Sequence, residues 1–376
     1  MDILGVPAPL EHAPASLAEC SEVLALGQRV AFVGGGTELG LGRPPEALDA
    51  VVRTTRLARI LEHAPADMVL VAEAGATLAQ IQATARAHGQ MLALDPPHPE
   101  RATIGGLCAT GAFGPRRARY GGVRDLIIGV TLVRADGVVA RGGGKVVKNV
   151  AGFDLPKLAC GSLGTLAMIA TTTFRLHPIP EATVTAVAAG LGADEVVTLV
   201  GKLRAAQLEP TSVVAVTAGD RFDVGVRFEG FEQGVRQQIG RLREAASIDV
   251  VDESWWARHD AVRTAPGLRL KISARPSTFP GLAPLLAALR GDLVWYATLG
   301  LGFVSSPAAT VTAIQRARAA LIEGGGSLVL EDAPAAVRAE VDPWGPPPAA
   351  FPIMVELKRR FDPDRRLNPG RFVGGL

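Results

Sequence analysis

A run of glycines directly after an apolar segment is the first feature of the sequence that could do chemistry. Val30–Val33 is followed at positions 34–40 by Gly-Gly-Gly-Thr-Glu-Leu-Gly. Glycine lacks a Cβ atom, so its N–H group can approach an anion closely and its φ can be positive. The pattern predicts a phosphate-binding loop, although a purely structural turn fits the same residues.

The spacing of this loop argues against a nicotinamide-binding Rossmann fold. After Gly34 and Gly36, the GxGxxG motif needs a third glycine at position 39, which is Leu39. The sequence Arg-Pro-Pro at positions 43–45 also prevents a helix from starting at the loop.

Further segments rich in small residues follow in order along the chain. They are Pro97–Gly106, Ala109–Gly114 with its continuation to Gly121, Lys148–Leu155 and Gly161–Ile169. Small side chains allow a flat ligand to lie against backbone, but each segment alone also fits tight packing of helices or strands.

Taken together and in order, these segments resemble the FAD-binding domain of the vanillyl-alcohol oxidase and p-cresol methylhydroxylase superfamily. Phe361–Pro363 and Leu367–Phe372 are similar to the C-terminal tail of that family. The resemblance implies an α+β protein in which a two-part FAD-binding domain is joined to a second α+β domain. The cofactor-binding residues it implies are Gly34, Gly35, Gly36, Thr37, Glu38, Leu39, Pro97, Thr103, Gly105, Gly106, Ala109, Thr110, Gly111, Gly114, Leu163, Gly164 and Ile169.

The same resemblance bears on how the flavin is held. Some relatives attach it through His or Cys, but Thr37 stands at the histidine position of the first loop and the later segment has no cysteine. His98 in the second segment is the remaining alternative. We therefore expect FAD to be bound without a covalent bond.

Lys145–Asp154 and the short, cysteine-poor second domain are most similar to the E-subunit family of bacterial glycolate oxidases. That family implies oxidation of glycolate, a small 2-hydroxy acid, to glyoxylate in a complex with a second flavoprotein and an iron–sulfur subunit. Two alternatives remain: a self-sufficient FAD oxidase or dehydrogenase for another hydroxy acid, alcohol or lactone, and an assembly module without flavin.

The histidines do not predict a metal site. The catalytic relatives hold a divalent metal through a histidine pair, whereas the six histidines here include no HxH or HxxxH spacing. We therefore expect this chain to carry flavin and relay electrons, and no catalytic residue is assigned. Candidates for the ring edge or a substrate carboxylate are Lys148, Asn149, Asp154, Arg371, Lys271 and Arg275, for which salt bridges or solvated surface are the alternative.

The elements that must position these residues begin with the strand Val30–Val33 and a second strand, Met68–Ala72. Thr77 opens a helix with a capping-box glutamine at position 80, and Gly89 ends it. A hairpin turning at Asp136-Gly137 and a strand over Thr165–Leu176 complete the first domain.

After His-Pro-Ile-Pro at positions 177–180 the order βαββαβ predicts a ferredoxin-like sandwich. Its elements are Thr183–Ala189, Ala193–Ala206, Ser212–Thr217, Phe222–Phe228, Gly230–Ala246 and Asp249–Asp252, extended by Arg269–Ala274, Leu293–Leu299 and Ala309–Glu323. No internal repeat is evident. The predicted domains are 1–178 for FAD, 179–340 as a cap or substrate domain, and 341–376 as a tail returning to the first.

Composition bounds the remaining possibilities. A net charge of +2 does not indicate a nucleic-acid binder, and 48% apolar residues are typical of a soluble globular protein. The three cysteines lie far apart in sequence and are interpreted as small buried hydrophobes in a reducing compartment. No signal peptide or transmembrane segment is predicted, so we expect a cytoplasmic protein, held at the inner membrane, if at all, through its partners.

Overall fold

The computed structural model describes residues 1–146 and 152–376, which form two compact units. The first unit comprises residues 1–114, 121–179 and 346–376, and the second comprises residues 115–120 and 180–345. The predicted roles of residues 1–178 in FAD binding, of 179–340 as a cap or substrate domain and of 341–376 as a returning tail stay predictions. Lys148 and Asn149 lie outside the described residues.

The first unit contains a short parallel sheet and a longer antiparallel one. The parallel sheet has the strand order Leu10–His12, Ala50–Arg53, Val30–Val33. The antiparallel sheet has the order Val139–Gly143, Ile127–Val133, Met168–Arg175, Val69–Glu73, Ile60–Ala64. Two-stranded ribbons join Asp2–Ile3 to Val6–Pro7 and Gln90–Met91 to His177–Pro178.

The helices of the first unit are Leu17–Ala25, Leu78–Arg86, Ile104–Thr110, Val123–Leu126, Leu155–Ala159 and Phe351–Phe361. The predicted capping box is confirmed: Thr77 accepts from the Gln80 amide, and the Gln80 side chain accepts from the Thr77 amide. The hairpin at residues 136–137 is also confirmed, since Ile127–Val133 pairs with Val139–Gly143.

Two strands of the parallel sheet, Val30–Val33 and Ala50–Arg53, are buried on both faces, which explains their nearly continuous apolar sequences. Val30 and Val52 pack in a core with Met168 and Ala170 of the antiparallel sheet. Ala31, Val33 and Val51, alternating with them, pack on the opposite face with Ile3 and Leu48. The strand at residues 30–33 is therefore fixed from both sides, and so is the point at which the glycine loop starts.

The second unit is built on one antiparallel eight-stranded sheet. Its strand order is Asp249–Val251, Ala182–Leu191, Arg221–Gly230, Ser212–Ala218, Asp292–Tyr296, Leu301–Ser306, Leu268–Ser273, Ser327–Asp332. Its helices are Arg117–Tyr120, Ala193–Ala205, Glu232–Ala245, Ala257–Thr264, Phe279–Ala287, Val311–Glu323 and Ala335–Glu340.

This sheet consists of two ferredoxin-like halves placed side by side. In the first half the strands, numbered along the chain, lie in the order 4-1-3-2, and in the second half they lie in the order 2-3-1-4. The second strand of each half, Ser212–Ala218 and Asp292–Tyr296, forms the antiparallel seam. The predicted βαββαβ arrangement is therefore confirmed, and it occurs twice.

Several boundaries differ from the predictions. The strand expected from residue 165 begins at Met168, because Thr165 belongs to a turn in which its amide and hydroxyl both donate to the carbonyl of Ser162. The strands Leu301–Ser306 and Ser327–Asp332 and the helix Phe279–Ala287 were not predicted. Two prolines within that helix, at positions 280 and 284, conceal its sequence pattern.

Candidate functional site

The glycine loop, residues 34–40, is packed so closely that side chains do not fit at its start. A Cβ atom on Gly34 would lie 2.0 Å from Thr103 Oγ1, and one on Gly35 would lie 1.7 Å from the carbonyl oxygen of Arg101. Gly36 has φ of +73°. Close approach explains the first two glycines, and the left-handed backbone explains the third.

The loop presents bare backbone donors. Among the described residues, the amides at positions 34–37 donate to no protein acceptor, and these residues are half-buried along a cleft. Partly buried N–H groups require an acceptor from elsewhere. A phosphate group supplies several.

A short helix, Ile104–Thr110, forms one wall of the cleft; we call it the wall helix. A Cβ atom on its Gly105 would lie 2.6 Å from Ala74 Cβ, so glycine allows the helix to approach the neighbouring strand end. Residues 162–167 form a second wall, which we call the closing loop. The amide of Leu163 donates to the Ala109 carbonyl at 2.7 Å and joins the two walls.

The C-terminal tail supports both the glycine loop and the closing loop. Buried Arg371 donates from Nη2 to the carbonyls of Leu39 and Leu41 at 2.8 and 2.7 Å. Buried Asn368 donates from Nδ2 to the carbonyl of Leu163 at 2.7 Å. The tail and the two loops around the cleft therefore hold each other in place through these hydrogen bonds.

These elements surround a cleft whose empty space, including its open side, is about 740 Å³. It is lined by Phe32, Val33, Gly34, Gly35, Gly36, Thr37, Glu38, Leu39, Thr54, Ala74, Thr103, Gly105, Gly106, Ala109, Thr110, Leu163, Gly164, Ala167, Met168, Ile169, Asn368 and Arg371. Of the residues predicted from sequence to bind the cofactor, Pro97, Gly111 and Gly114 alone do not line it.

These three residues have other positions in the first unit. Gly111 ends the wall helix in a left-handed conformation. A Cβ atom on Gly114 would lie 1.9 Å from the carbonyl oxygen of Asp95, so close packing explains that glycine. A contact of Pro97, Gly111 or Gly114 with the cofactor stays a prediction.

The proposed charged candidates are distributed differently. Arg371 lines the cleft. Asp154 caps the helix Leu155–Ala159 and pairs with Lys157 at 2.8 Å, which lowers the pKa of the Asp154 carboxyl. Lys271 and Arg275 belong to the second unit, and their part in catalysis stays a prediction. His98 does not line the cleft.

Sequence reasoning missed Asn368 as a cleft residue, although it lies in the recognised tail motif. Phe32, Thr54 and Ala74 were also missed, because strand ends carry no motif of their own, while Ala167 and Met168 lie in the predicted segment Gly161–Ile169 without having been named singly. The tail could have been weighed as part of the site, since the resemblance already included residues 367–372.

Two buried side-chain oxygens of residues on the cleft wall lack a hydrogen-bond partner within the described residues: Thr103 Oγ1 and Asn368 Oδ1. Burying a hydroxyl or amide oxygen without a partner costs about 1–3 kcal/mol. A polar cofactor in the cleft would remove this cost. Together with the bare loop amides, these atoms fit a dinucleotide cofactor.

Comparison with known proteins agrees with this geometry. Residues 10–143 match a family described as an FAD binding domain. The expectation of an FAD-dependent oxidoreductase is confirmed by this match and by similarity to flavin-linked dehydrogenases and glycolate oxidase subunits. The predicted cofactor, FAD, is thereby confirmed, as is the resemblance to flavoproteins on which the prediction rested.

Several relatives extend the comparison. Glycolate oxidase subunit GlcE of Escherichia coli is 28% identical over 97% of this chain and 99% of its own length. D-lactate dehydrogenase of Archaeoglobus fulgidus is 41% identical over 39% of this chain and 32% of its own length. Glycolate oxidase subunit GlcD of Bacillus subtilis is 31% identical over 54% of this chain and 44% of its own length.

Solved structures of alkyldihydroxyacetonephosphate synthase share the fold. One superposes with a TM-score of 0.73 at 15% sequence identity, covering 97% of this chain and 77% of that protein. The expected α+β architecture is therefore confirmed.

Residues 1–146 and 152–376 contain no group of three or more His, Cys, Asp or Glu side chains placed to hold a metal ion. Within the same ranges, no helix has the length and apolarity needed to cross a bilayer.

Proposed function

We propose that this chain is the FAD-carrying subunit of a glycolate oxidase complex and takes part in the oxidation of glycolate to glyoxylate. The observation that carries the proposal is the similarity to subunit GlcE, which extends over 97% of this chain and 99% of that subunit. Similarity to subunit GlcD and to D-lactate dehydrogenases supports a 2-hydroxy acid as the substrate.

FAD, when bound, supplies a two-electron acceptor for such an oxidation. The chain's own residues hold it: the amides at positions 34–37 bind its phosphates, and Thr103 and Asn368 form hydrogen bonds to its polar groups. The small residues of the wall helix and the closing loop leave room for flat rings. FAD is held without a covalent bond, because Thr37 stands in the glycine loop where some relatives carry histidine.

Electrons leave through other polypeptides in this proposal. The three cysteines and six histidines do not provide a cluster-binding pattern in the sequence. A second flavoprotein subunit and an iron–sulfur subunit would therefore complete the complex, and substrate oxidation itself would take place on the partner flavoprotein.

A self-sufficient FAD dehydrogenase is the second candidate, favoured by the 41% identity to a D-lactate dehydrogenase over 39% of this chain. The two candidates differ in what the purified chain does alone. In the complex, glycolate oxidation requires the partner subunits. A self-sufficient enzyme reduces an artificial dye with glycolate or D-lactate without them.

The experiment is purification of the tagged chain from its native cells and, separately, alone from a heterologous host. We expect a second flavoprotein and a cysteine-rich iron–sulfur protein to copurify in the first case. The chain alone should be yellow, release free FAD on acid precipitation and turn over glycolate far more slowly than the complex. Dye reduction by the isolated chain at the rate of the complex would favour the second candidate and contradict our proposal.

A further inference from the structure

Two cysteines that are 52 positions apart meet behind the wall of the cleft. Cys108 lies on the wall helix and is completely buried, while Cys160 follows the helix Leu155–Ala159 and is half-exposed. The two side chains are near enough that Cys160, after burial, raises the pKa of the Cys108 thiol. Cys108 is thus buried, as expected for a small hydrophobe, whereas Cys160 is only partly buried.

Backbone hydrogen bonds hold the two cysteines in register. The amide of Gly161, next to Cys160, donates to the carbonyl of Cys108 at 2.8 Å. Two residues further, the amide of Leu163 donates to the carbonyl of Ala109 at 2.7 Å. The last carbonyls of the wall helix thus accept hydrogen bonds from the segment that follows Cys160, which holds Cys160 next to Cys108.

Cys160 is accessible to small molecules. It lines a second cavity in the first unit, of about 560 Å³, whose walls include Leu158, Leu166, Met354, Leu357 and Phe372. Burial, and then the neighbouring Cys160 thiol, raises the pKa of the Cys108 thiol well above the usual range. Cys160 is therefore the thiol that a reagent meets first, with Cys108 behind it as the second thiol.

We propose that Cys108 and Cys160 are a peroxide-reactive pair that closes to a disulfide joining the wall helix to the segment that leads into the closing loop. The Cys160 thiolate attacks one oxygen of hydrogen peroxide, the O–O bond breaks, and Cys160 becomes a sulfenic acid with release of one water molecule. The Cys108 sulfur then attacks the Cys160 sulfur, a second water molecule leaves, and the S–S bond forms. Two thiols are oxidised by two electrons, and one peroxide is reduced to two waters.

The disulfide has a consequence for the cleft, which rests on the proposed FAD site. An S–S bond of about 2.05 Å is much shorter than any contact between two separate thiols, so forming it should draw the two segments together. Ala109 and Gly106 line one side of the cleft, and Leu163 and Gly164 line the other. Closing the bond should narrow the cleft and weaken FAD binding.

Cys20 offers a matched control. It is completely buried, and burial raises the pKa of its thiol to about 12. It packs in the core with Leu24 and Val30. Its reaction with peroxide should be the slowest of the three cysteines.

The test treats the full chain, with and without FAD, with hydrogen peroxide, then alkylates it under denaturing conditions and maps peptides by mass spectrometry. We expect one cross-link, between the peptides of Cys108 and Cys160, that dithiothreitol reverses. Cys20→Ser should form it equally. Cys108→Ser should stop at a sulfenic acid on Cys160, trapped by dimedone, and Cys160→Ser should leave Cys108 reduced. A wild-type Cys160 that is oxidised without a cross-link, thiols that remain reduced, or links to Cys20 or to a second chain would overturn the proposal.

Titration of reduced and oxidised protein with FAD tests the consequence separately. We expect affinity to fall by about tenfold on oxidation in the wild type and not to change in Cys108→Ser. A mapped disulfide with unchanged affinity would disprove the effect on the cleft but leave the pair established. If reduced protein takes up no FAD, the proposed function fails, while peptide mapping still decides the cysteine chemistry.

Discussion

At the residue scale, the cleft is defined by backbone groups and by a few buried side-chain atoms without protein partners. Thr103 Oγ1 is the clearest, because it is buried, lines the cleft and has no partner among the described residues. The same atom lies where a Cβ on Gly34 would be. A hydroxyl held in that place without a protein partner is expected to pair with the ligand.

Replacing Thr103 with the isosteric valine should therefore weaken the complex with FAD but stabilise the protein without FAD. Thr103→Val should weaken FAD binding by about tenfold, since one hydrogen bond contributes about 1–2 kcal/mol. It should raise the melting temperature of the protein without FAD, because an unsatisfied buried hydroxyl is removed. Isothermal titration and differential scanning fluorimetry measure the two effects.

Thr172→Val is the matched control. Thr172 is also completely buried in the first unit, but its hydroxyl donates to the Ala72 carbonyl at 3.4 Å and it does not line the cleft. This change should not affect FAD affinity and should not stabilise the apoprotein. Equal loss of FAD affinity in both variants would contradict the role given to Thr103.

The glycines of the cleft allow a steric test, with Gly106 the best position. A Cβ atom there would lie 3.2 Å from Thr103 Oγ1, so a side chain fits only by entering the cleft. We expect Gly106→Val to fold and to purify without yellow colour. Gly35 is less suitable, because any side chain there would collide with the Arg101 backbone whether or not FAD is bound.

Gly240→Val controls for the effect of valine in a helix. Gly240 lies within the helix Glu232–Ala245, and nothing stands within 4 Å of its added Cβ. The Gly240→Val variant should retain its full FAD content, measured from the absorption spectrum. If Gly106→Val also retains it, the assignment of the cleft as the FAD site is wrong.

At the element scale, a buried ion pair holds the C-terminal tail. Lys358, near the end of the helix Phe351–Phe361, donates from Nζ to Asp362 Oδ2 at 2.7 Å and to the carbonyls of Thr165 and Leu367 at 2.8 and 3.0 Å. The carboxylate of Asp362 also accepts the amide of Leu367 at 2.8 Å. This pair connects the tail to the closing loop.

Breaking the pair should destabilise the first unit and release the cofactor. Lys358→Met leaves a completely buried carboxylate without its cation, which is expected to cost about 3–5 kcal/mol. Denaturant unfolding, with FAD release as the second readout, measures the loss. Arg359→Met on the same helix removes only an exposed pair with Glu356 and should cost less than about 1 kcal/mol. Similar losses in the two variants would show that the buried pair is not what anchors the tail.

At the scale of the whole molecule, the two units can be observed separately. The four tryptophans, at positions 255, 256, 295 and 344, all belong to the second unit. Trp256 is buried there beside His259, whose ring is hydrogen-bonded to Asp260 and Tyr296. Tryptophan fluorescence therefore follows the second unit.

Stability of the second unit should fall as the solution is acidified. Burial lowers the pKa of His259 from its usual value of 6.5, so below that pH the unfolded chain binds a proton that the folded one does not. Stability then decreases as pH falls from about 7 to 5, by at most about 1.4 kcal/mol per pH unit. Urea unfolding followed by tryptophan fluorescence at several pH values measures it.

The variant His259→Gln should flatten this dependence. His177, in the first unit, also has a pKa lowered by burial and then by Arg175, so His177→Gln serves as the comparison. The fluorescence-detected slope should persist in His177→Gln. An unchanged slope in His259→Gln would contradict the assignment to that histidine.

Much of the first unit was predictable because its signals are local. The capping box at Thr77 and Gln80, the hairpin turn at residues 136–137 and the strand at residues 30–33 each depend on neighbouring residues. The second half of the large sheet was not predictable in the same way. Its core positions accept any apolar side chain of suitable volume, so a repeated fold leaves no repeated sequence.

The sequence by itself determined the cofactor class and the order of the segments that hold it, because glycines and small residues are required wherever backbone must approach a ligand. Only the tertiary structure decided which of these glycines line the cleft and which, like Gly114, serve close packing. It also brought Asn368 and Arg371 to the glycine and closing loops and Cys160 to Cys108. Such pairings join residues far apart in the chain, and local patterns contain no information on them until burial of the common core fixes the path of the backbone.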